Sequence, residues 1–146
     1  MIAEAALAAV LMAGPDLPAP LHIGEKVNDG TSLYKGKWFV KKHEKVRRCI
    51  RARESDNRYN AVSKTGRYRG AYQFSPELAV GAAWMIQDDL MRSVGKARAR
   101  AIGVALRATR MNKWHPYWQD RAFWIIWNKG DGRSHWTHTV PGTGCF

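Results

Sequence analysis

Apolar residues return every three or four positions along much of this chain, and that period predicts helices rather than strands. In residues 41–54, Val46, Cys49, Ile50 and Arg53 fall on one face, while the opposite face is almost entirely Lys and Arg. A second helix carries its own start signal, with Ser75 as N-cap, Pro76 at the first helical position and Glu77 in the first turn. It is expected to run to about Ser93 and to stop near Gly95. Residues 96–109, rich in Ala and Arg, predict a third helix, and residues 117–128, dense in aromatics, a fourth. Trp114, Trp118, Phe123, Trp124 and Trp127 recur largely at helical spacing, which assigns most of them to a core face. Between these stretches, Asp56-Asn57 ends the first helix, residues 63–70 form a loop with two glycines, and residues 33–40 read as a short strand or an extended arm. Asn28-Asp29-Gly30 marks a turn, and residues 130–146 read as coil. With few strands and no internal repeat, the predicted class is mainly α, α+β at most.

At 146 residues and 45% hydrophobic, the chain is long enough for one compact domain with a real core and too short for two. The expected organisation is a domain over residues 41–146, a connector or arm over 21–40, and a separate N-terminal segment over 1–20. Residues 5–13 form a short apolar run followed by Gly and Pro, which reads as a truncated signal peptide or as an N-terminal helix. No stretch is long enough to span a bilayer. The 24 Lys and Arg against 12 Asp and Glu give a net charge of +12, a field that attracts polyanions. Nucleic acid, an anionic membrane and the anionic polymers of a bacterial wall all satisfy that field. Cys49 and Cys145 either pair or remain two buried thiols. If paired, they tie the C-terminal tail to the first helix and imply an oxidising compartment. No Cys/His cluster has metal-ligand spacing, so neither a zinc site nor a cofactor is expected.

The candidate chemistry lies in residues 49–74, where Glu54 closes a helix and a loop rich in Gly and Tyr follows. Arg53-Glu54-Ser55, Tyr59, Thr65-Gly66, Tyr68, Gly70-Ala71-Tyr72 and Gln73-Phe74 occur in order. This set resembles the lysozyme-like transglycosylase domain of actinobacterial cell-wall enzymes and their phages, the group that includes the resuscitation-promoting factors. The resemblance covers under a fifth of the chain directly. It implies a lysozyme-like domain with a Gly/Tyr-rich cleft loop, cutting the β-1,4 bond between N-acetylmuramic acid and N-acetylglucosamine, with Glu54 as general acid. It also implies sugar contacts from Thr65 and Gln73, and a cleft wall from Trp136, which follows a Gly-rich stretch. The loop departs from the resuscitation-promoting-factor form in being about one residue shorter and in carrying Arg67 and Arg69 where small or aromatic residues stand.

The chemistry of an acetal explains why one carboxyl group can suffice. The exocyclic oxygen is a poor leaving group and must receive a proton as its bond to the anomeric carbon stretches. A carboxylic acid can donate it only if it stays protonated near pH 6–7, well above the ordinary Glu value of about 4.3. Glu54 stands at the carbonyl end of its helix, where the dipole disfavours negative charge. Arg51, Arg53 and Arg58 work against this unless they point outward, and the expectation is that they do, leaving Glu54 against Tyr72, Phe74 and a Trp. Asp56 would lie on another face, and Asp120 reads as a cap or core-network residue rather than a second catalytic group. With one acid, the substrate's own 6-hydroxyl can close a 1,6-anhydro ring, or water can complete hydrolysis. Tyr59, Tyr68, Tyr72 and Gln73 are the candidates to stack on or hydrogen-bond to sugar, while Gly66 and Gly70 let the backbone approach closely.

Two other readings compete. Lys41, Lys42, Lys45, Arg47, Arg48, Arg51, Arg53 and Arg58 form a basic helix that could track phosphates, although no nucleic-acid-binding signature accompanies them. The other is a wall-binding or virion protein that keeps the fold without activity. The favoured expectation is a secreted or virion-associated monomer acting on peptidoglycan, with no nucleic-acid partner and no stable membrane insertion.

Overall fold

The computed structural model describes residues 30–130, 132–137 and 144–146. The readings of residues 1–20, of the first half of the connector and of Asn28-Asp29 lie outside the described residues. The chain folds into a mainly helical domain with few strands. A 3-10 turn at Lys41–His43 leads into helix α1 (Glu44–Ser55). Helices α2 (Pro76–Val94) and α3 (Lys96–Ala108) follow, then a 3-10 turn at Met111–Lys113 and helix α4 (Pro116–Trp124). Helix α4 runs on as a π-helical turn at Ile125–Lys129, and a short helix α5 covers Ser134–Thr137. The only β pairing among the described residues is two isolated antiparallel bridges, Val62 with Arg69 and Arg69 with Phe74. Among the described residues no helix is long and apolar enough to cross a membrane.

The helix signals act locally as expected. Ser75 accepts a hydrogen bond from the Leu78 amide at 3.2 Å, with Pro76 behind it, so one exposed donor of the first turn is satisfied. Gly95, at φ +83°, reverses the chain between α2 and α3 in a single residue. Arg107 meets Gln87 and stacks on Trp84, so the two helices lie antiparallel. A Cβ at Gly103 would run into the Gln87 side-chain oxygen, which is why glycine stands at this crossing.

Helix α4 is buried on every side, from Tyr117 to Trp124. Of the five aromatics, most of them expected in the core, all are there, none more than 3% exposed. Phe123 stands at the centre, with the rings of Tyr72, Trp124, Trp127 and Trp136 between 4.7 and 5.4 Å away.

Of the two forms expected for residues 33–40, strand or extended arm, the segment takes the arm, irregular and with a turn closed by Phe39 N–H on the Gly36 carbonyl at 3.0 Å. Two expectations are corrected. Residues 130–146 are not all coil, because α5 forms there and buries Trp136. The buried face of α1 is Arg47, Ile50, Arg51 and Ser55 rather than Val46, Cys49, Ile50 and Arg53. The helix is rotated toward a buried carboxylate that lies far away in sequence, Asp120.

Candidate active site

Asp120 is fully buried on α4, and four segments meet on its carboxylate. It accepts hydrogen bonds from the Tyr72 hydroxyl at 2.5 Å, the Tyr59 hydroxyl at 2.8 Å and the Leu33 amide at 2.9 Å. Each tyrosine hydroxyl accepts in turn from an arginine of α1. Arg47 donates to Tyr72 at 2.7 Å, and Arg51 to Tyr59 at 3.0 Å. Arg47 also lies 3.7 Å from Asp120 and bonds Glu44 and the Gly30 carbonyl. Burial pushes the Asp120 carboxyl above the usual carboxylate range, although Arg47 and the hydrogen bonds pull it back. Burial, and then the charge on Asp120, push both tyrosines well up. For Arg47, burial disfavours the charge, but Glu44, Tyr72 and Asp120 outweigh it and the guanidinium stays protonated.

Gln119, the neighbouring residue on α4, holds the loop from the other side. Its Oε1 accepts from the Ala71 amide at 2.9 Å, and its Nε2 faces the carbonyls of Tyr59, Met111 and Trp114 at 2.9–3.1 Å. Gly70 packs against this amide at φ +83°, and a Cβ there would stand 2.5 Å from Gln119 Oε1 and 2.9 Å from Met111 Cγ. The loop is closed by a reciprocal pair of bonds between Arg69 and Phe74, both 3.0 Å. Gln73 is held at φ 52° and donates from Nε2 to the Gly70 carbonyl at 3.0 Å.

Glu54 sits on the last turn of α1, which ends as Asp56 and Asn57 adopt φ 54° and 64°. Its side chain is 25% exposed, and Oε1 accepts from Arg53 Nε at 3.1 Å and Nη2 at 2.7 Å. Arg53 also donates to the Trp136 carbonyl at 2.8 Å. This corrects the expectation that all three neighbouring arginines turn away. Arg51 turns to Tyr59 and Asn57, and Arg58 to the Ser55 carbonyl, but Arg53 covers Glu54 because the C-terminal segment brings it an acceptor. The Cys49–Cys145 disulfide ties that segment to α1, with 5.5 Å between Cα atoms. Trp136 is the joint between the two halves of the site. Its carbonyl takes Arg53, and its indole N–H donates to the Tyr72 carbonyl at 3.0 Å.

The candidate sugar contacts separate into two groups. Tyr72 and Trp136 are each 2% exposed and offer no open ring face, while Tyr59 is partly exposed with its hydroxyl on Asp120. The assignment of Tyr72 and Trp136 as sugar platforms is therefore corrected, because the buried Asp120 and the Tyr72 carbonyl supply the partners their polar atoms need. Thr65 and Tyr68 are exposed and Gln73 is partly exposed, on the loop that leads away from Glu54. Arg67 lies over the Tyr68 ring at 5.8 Å.

The cations of α1 do not form one row. Arg47 and Arg51 are buried and hydrogen-bonded inward, which takes two of the eight positions from any phosphate-tracking face. Among the described residues no group of three His, Cys, Asp or Glu side chains is arranged to hold a metal ion.

One feature escaped the sequence reading. A cavity of about 340 Å³ opens between the 66–69 loop, the start of α2 and the end of α3, floored by Phe74, Ala79, Leu106, Met111 and Trp114. Arg67, Arg69, Arg107 and Arg110 line it. A second cavity of about 620 Å³ lies between the 33–37 arm, α2 and α4, and Glu54 lines neither. The signal for the first was the pair of arginines that interrupts the loop pattern. The chain matches no family model, no curated protein and no solved structure.

Proposed function

We propose that this chain is a lysozyme-like muralytic enzyme that cuts the β-1,4 bond between N-acetylmuramic acid and N-acetylglucosamine, with Glu54 as general acid. The observation that carries the reading is the placement of Glu54. It is a partly exposed carboxyl group on the last turn of a helix, joined through Arg53 and Trp136 to the loop that presents Gln73. The ordered residues from Arg53 to Phe74 support the same reading. Asp120 is enclosed and hydrogen-bonded, so it braces the site and takes no part as a second acid.

The reaction requires the Arg53–Glu54 pair to open when a glycan strand arrives. Arg53 retains the Trp136 carbonyl as an acceptor, so Glu54 can turn to the strand while the guanidinium stays in place. Released from Arg53, Glu54 takes up a proton from solvent, hands it to the glycosidic oxygen, and afterwards, as carboxylate, takes one from the attacking 6-hydroxyl or water. Thr65, Tyr68 and Gln73 are the outward-facing groups left to contact sugar. The disulfide suits an oxidising setting, the wall outside a cell or a virion.

Glu54→Gln tests the assignment. The variant should retain its fold by circular dichroism and lose clearing of purified peptidoglycan by at least ~100-fold, the lower range for removing a general acid. Clearing at the parent rate would remove Glu54 from the mechanism. Mass spectrometry of the released fragments separates the two outcomes of the parent enzyme, since anhydro and reducing ends differ by one water.

A further inference from the structure

The cavity at the end of α3 holds more positive charge than its own surroundings neutralise. Among the described residues only Arg67 of its four guanidinium groups is paired with a carboxylate, Glu77 at 3.0 Å, and both side chains of that pair are well exposed. Arg69 is held by the neutral oxygen of Asn112 at 3.0 Å, and Arg107 by that of Gln87 at 2.8 Å. Arg107 also lies 3.5 Å from the centre of the Trp84 ring. Among the described residues the Arg110 guanidinium has no hydrogen-bond or ion-pair partner. Amide oxygens and an aromatic face fix guanidinium groups in position without cancelling their charge, and planar guanidinium groups suit bidentate capture of an oxyanion. The floor beneath them is apolar, and the volume lies in the range of small-ligand sites.

We propose that this cavity binds the carboxylate-bearing peptide branch of the polymer whose glycan strand passes Glu54, a substrate identity that rests on the muralytic reading. The guanidinium groups receive the carboxylates, and the small aliphatic side chains of the branch lie over Ala79, Leu106 and Met111. A bare sugar fits less well, because the floor aromatics Phe74 and Trp114 are 2% and 3% exposed and present no open ring face. A phosphodiester chain would use the charge but has no need of the apolar floor.

The test is direct binding, by calorimetry, to the Glu54→Gln chain, which removes turnover from the measurement. The probes are a synthetic alanine–γ-glutamate–lysine peptide with free carboxylates, its fully amidated counterpart, and a glycerol-phosphate oligomer. The free acid should bind saturably, with affinity falling at least ~10-fold on amidation and again in Arg69→Gln/Arg110→Gln, a change of about 1.4 kcal/mol each. Equal binding of acid and amide, no effect of the double substitution, or tighter binding of the glycerol phosphate would each overturn the proposal. Binding of the free acid by a chain whose parent fails to clear walls would sink the enzymatic reading and leave the peptide site standing. Wall clearing without peptide binding would do the reverse.

Discussion

Replacing Gly70 by alanine probes the clamp that shapes the loop between Glu54 and the cavity. Two costs follow from the geometry. The backbone is held at φ +83°, which an L side chain adopts at a cost of about 1–2 kcal/mol. The new Cβ would also stand 2.5 Å from Gln119 Oε1, so the amide must shift, and the buried Ala71 amide it accepts from is left without a partner. An unsatisfied buried donor costs about 1–3 kcal/mol. The combined loss is roughly 2–5 kcal/mol, and at about 2–4 °C per kcal/mol for a chain near this size the melting temperature should fall by at least ~4 °C. The assay is thermal unfolding by far-ultraviolet circular dichroism on Gly70→Ala, Gln119→Ala and the double variant. With Gln119 already truncated, its clash and the loss of its bond to Ala71 no longer add, and Gly70→Ala should cost only the backbone part and the tight contact with Met111 Cγ at 2.9 Å. The two substitutions should therefore couple by at least ~1 kcal/mol. A melting temperature within about 2 °C of the parent for Gly70→Ala, or strict additivity in the double variant, would refute the clamp.

Three further outcomes are expected. His43 and His115 both accept hydrogen bonds at Nδ1, from the Trp127 indole and the Tyr117 amide, and burial lowers both below the ordinary histidine value of 6.5. The unfolded chain then binds more protons than the folded one, so stability should be complete above pH 6.5 and fall as pH drops through the lowered values; urea midpoints across pH 4–7 measure it. Tyr59 and Tyr72 are raised by burial and by Asp120, so the folded chain keeps protons that the unfolded chain releases above about pH 10. Stability should fall as pH rises past that point, and less so in Tyr59→Phe, which alkaline unfolding curves would show. Reducing the Cys49–Cys145 bond, which spans 96 positions, should cost up to roughly 4–5 kcal/mol and release the segment that carries the Trp136 carbonyl to Arg53. Thermal melts with and without reductant read the first effect, and an unchanged melt would contradict it.

The amino-acid sequence by itself determined what neighbours along the chain can decide. Ser75 and Pro76 start a helix because the capping oxygen and the missing amide act within one turn, and Gly95 ends it because a positive φ is a property of that residue alone. The aromatic period from Trp114 to Trp127 marked a core, and Glu54 at a helix end followed from the residues around it. Only the tertiary structure decided the charges. Arg47 and Arg51 look like solvent-facing cations until Asp120, some seventy positions away, draws them inward through Tyr72 and Tyr59. The same carboxylate turned Tyr72, an expected sugar platform, into an internal strut. The partner of Glu54 was likewise invisible, because Arg53 is directed by a carbonyl from the far end of the chain, in a segment tied down by a disulfide. A buried polar group must find its partners wherever the fold brings them, and sequence spacing carries no record of that meeting.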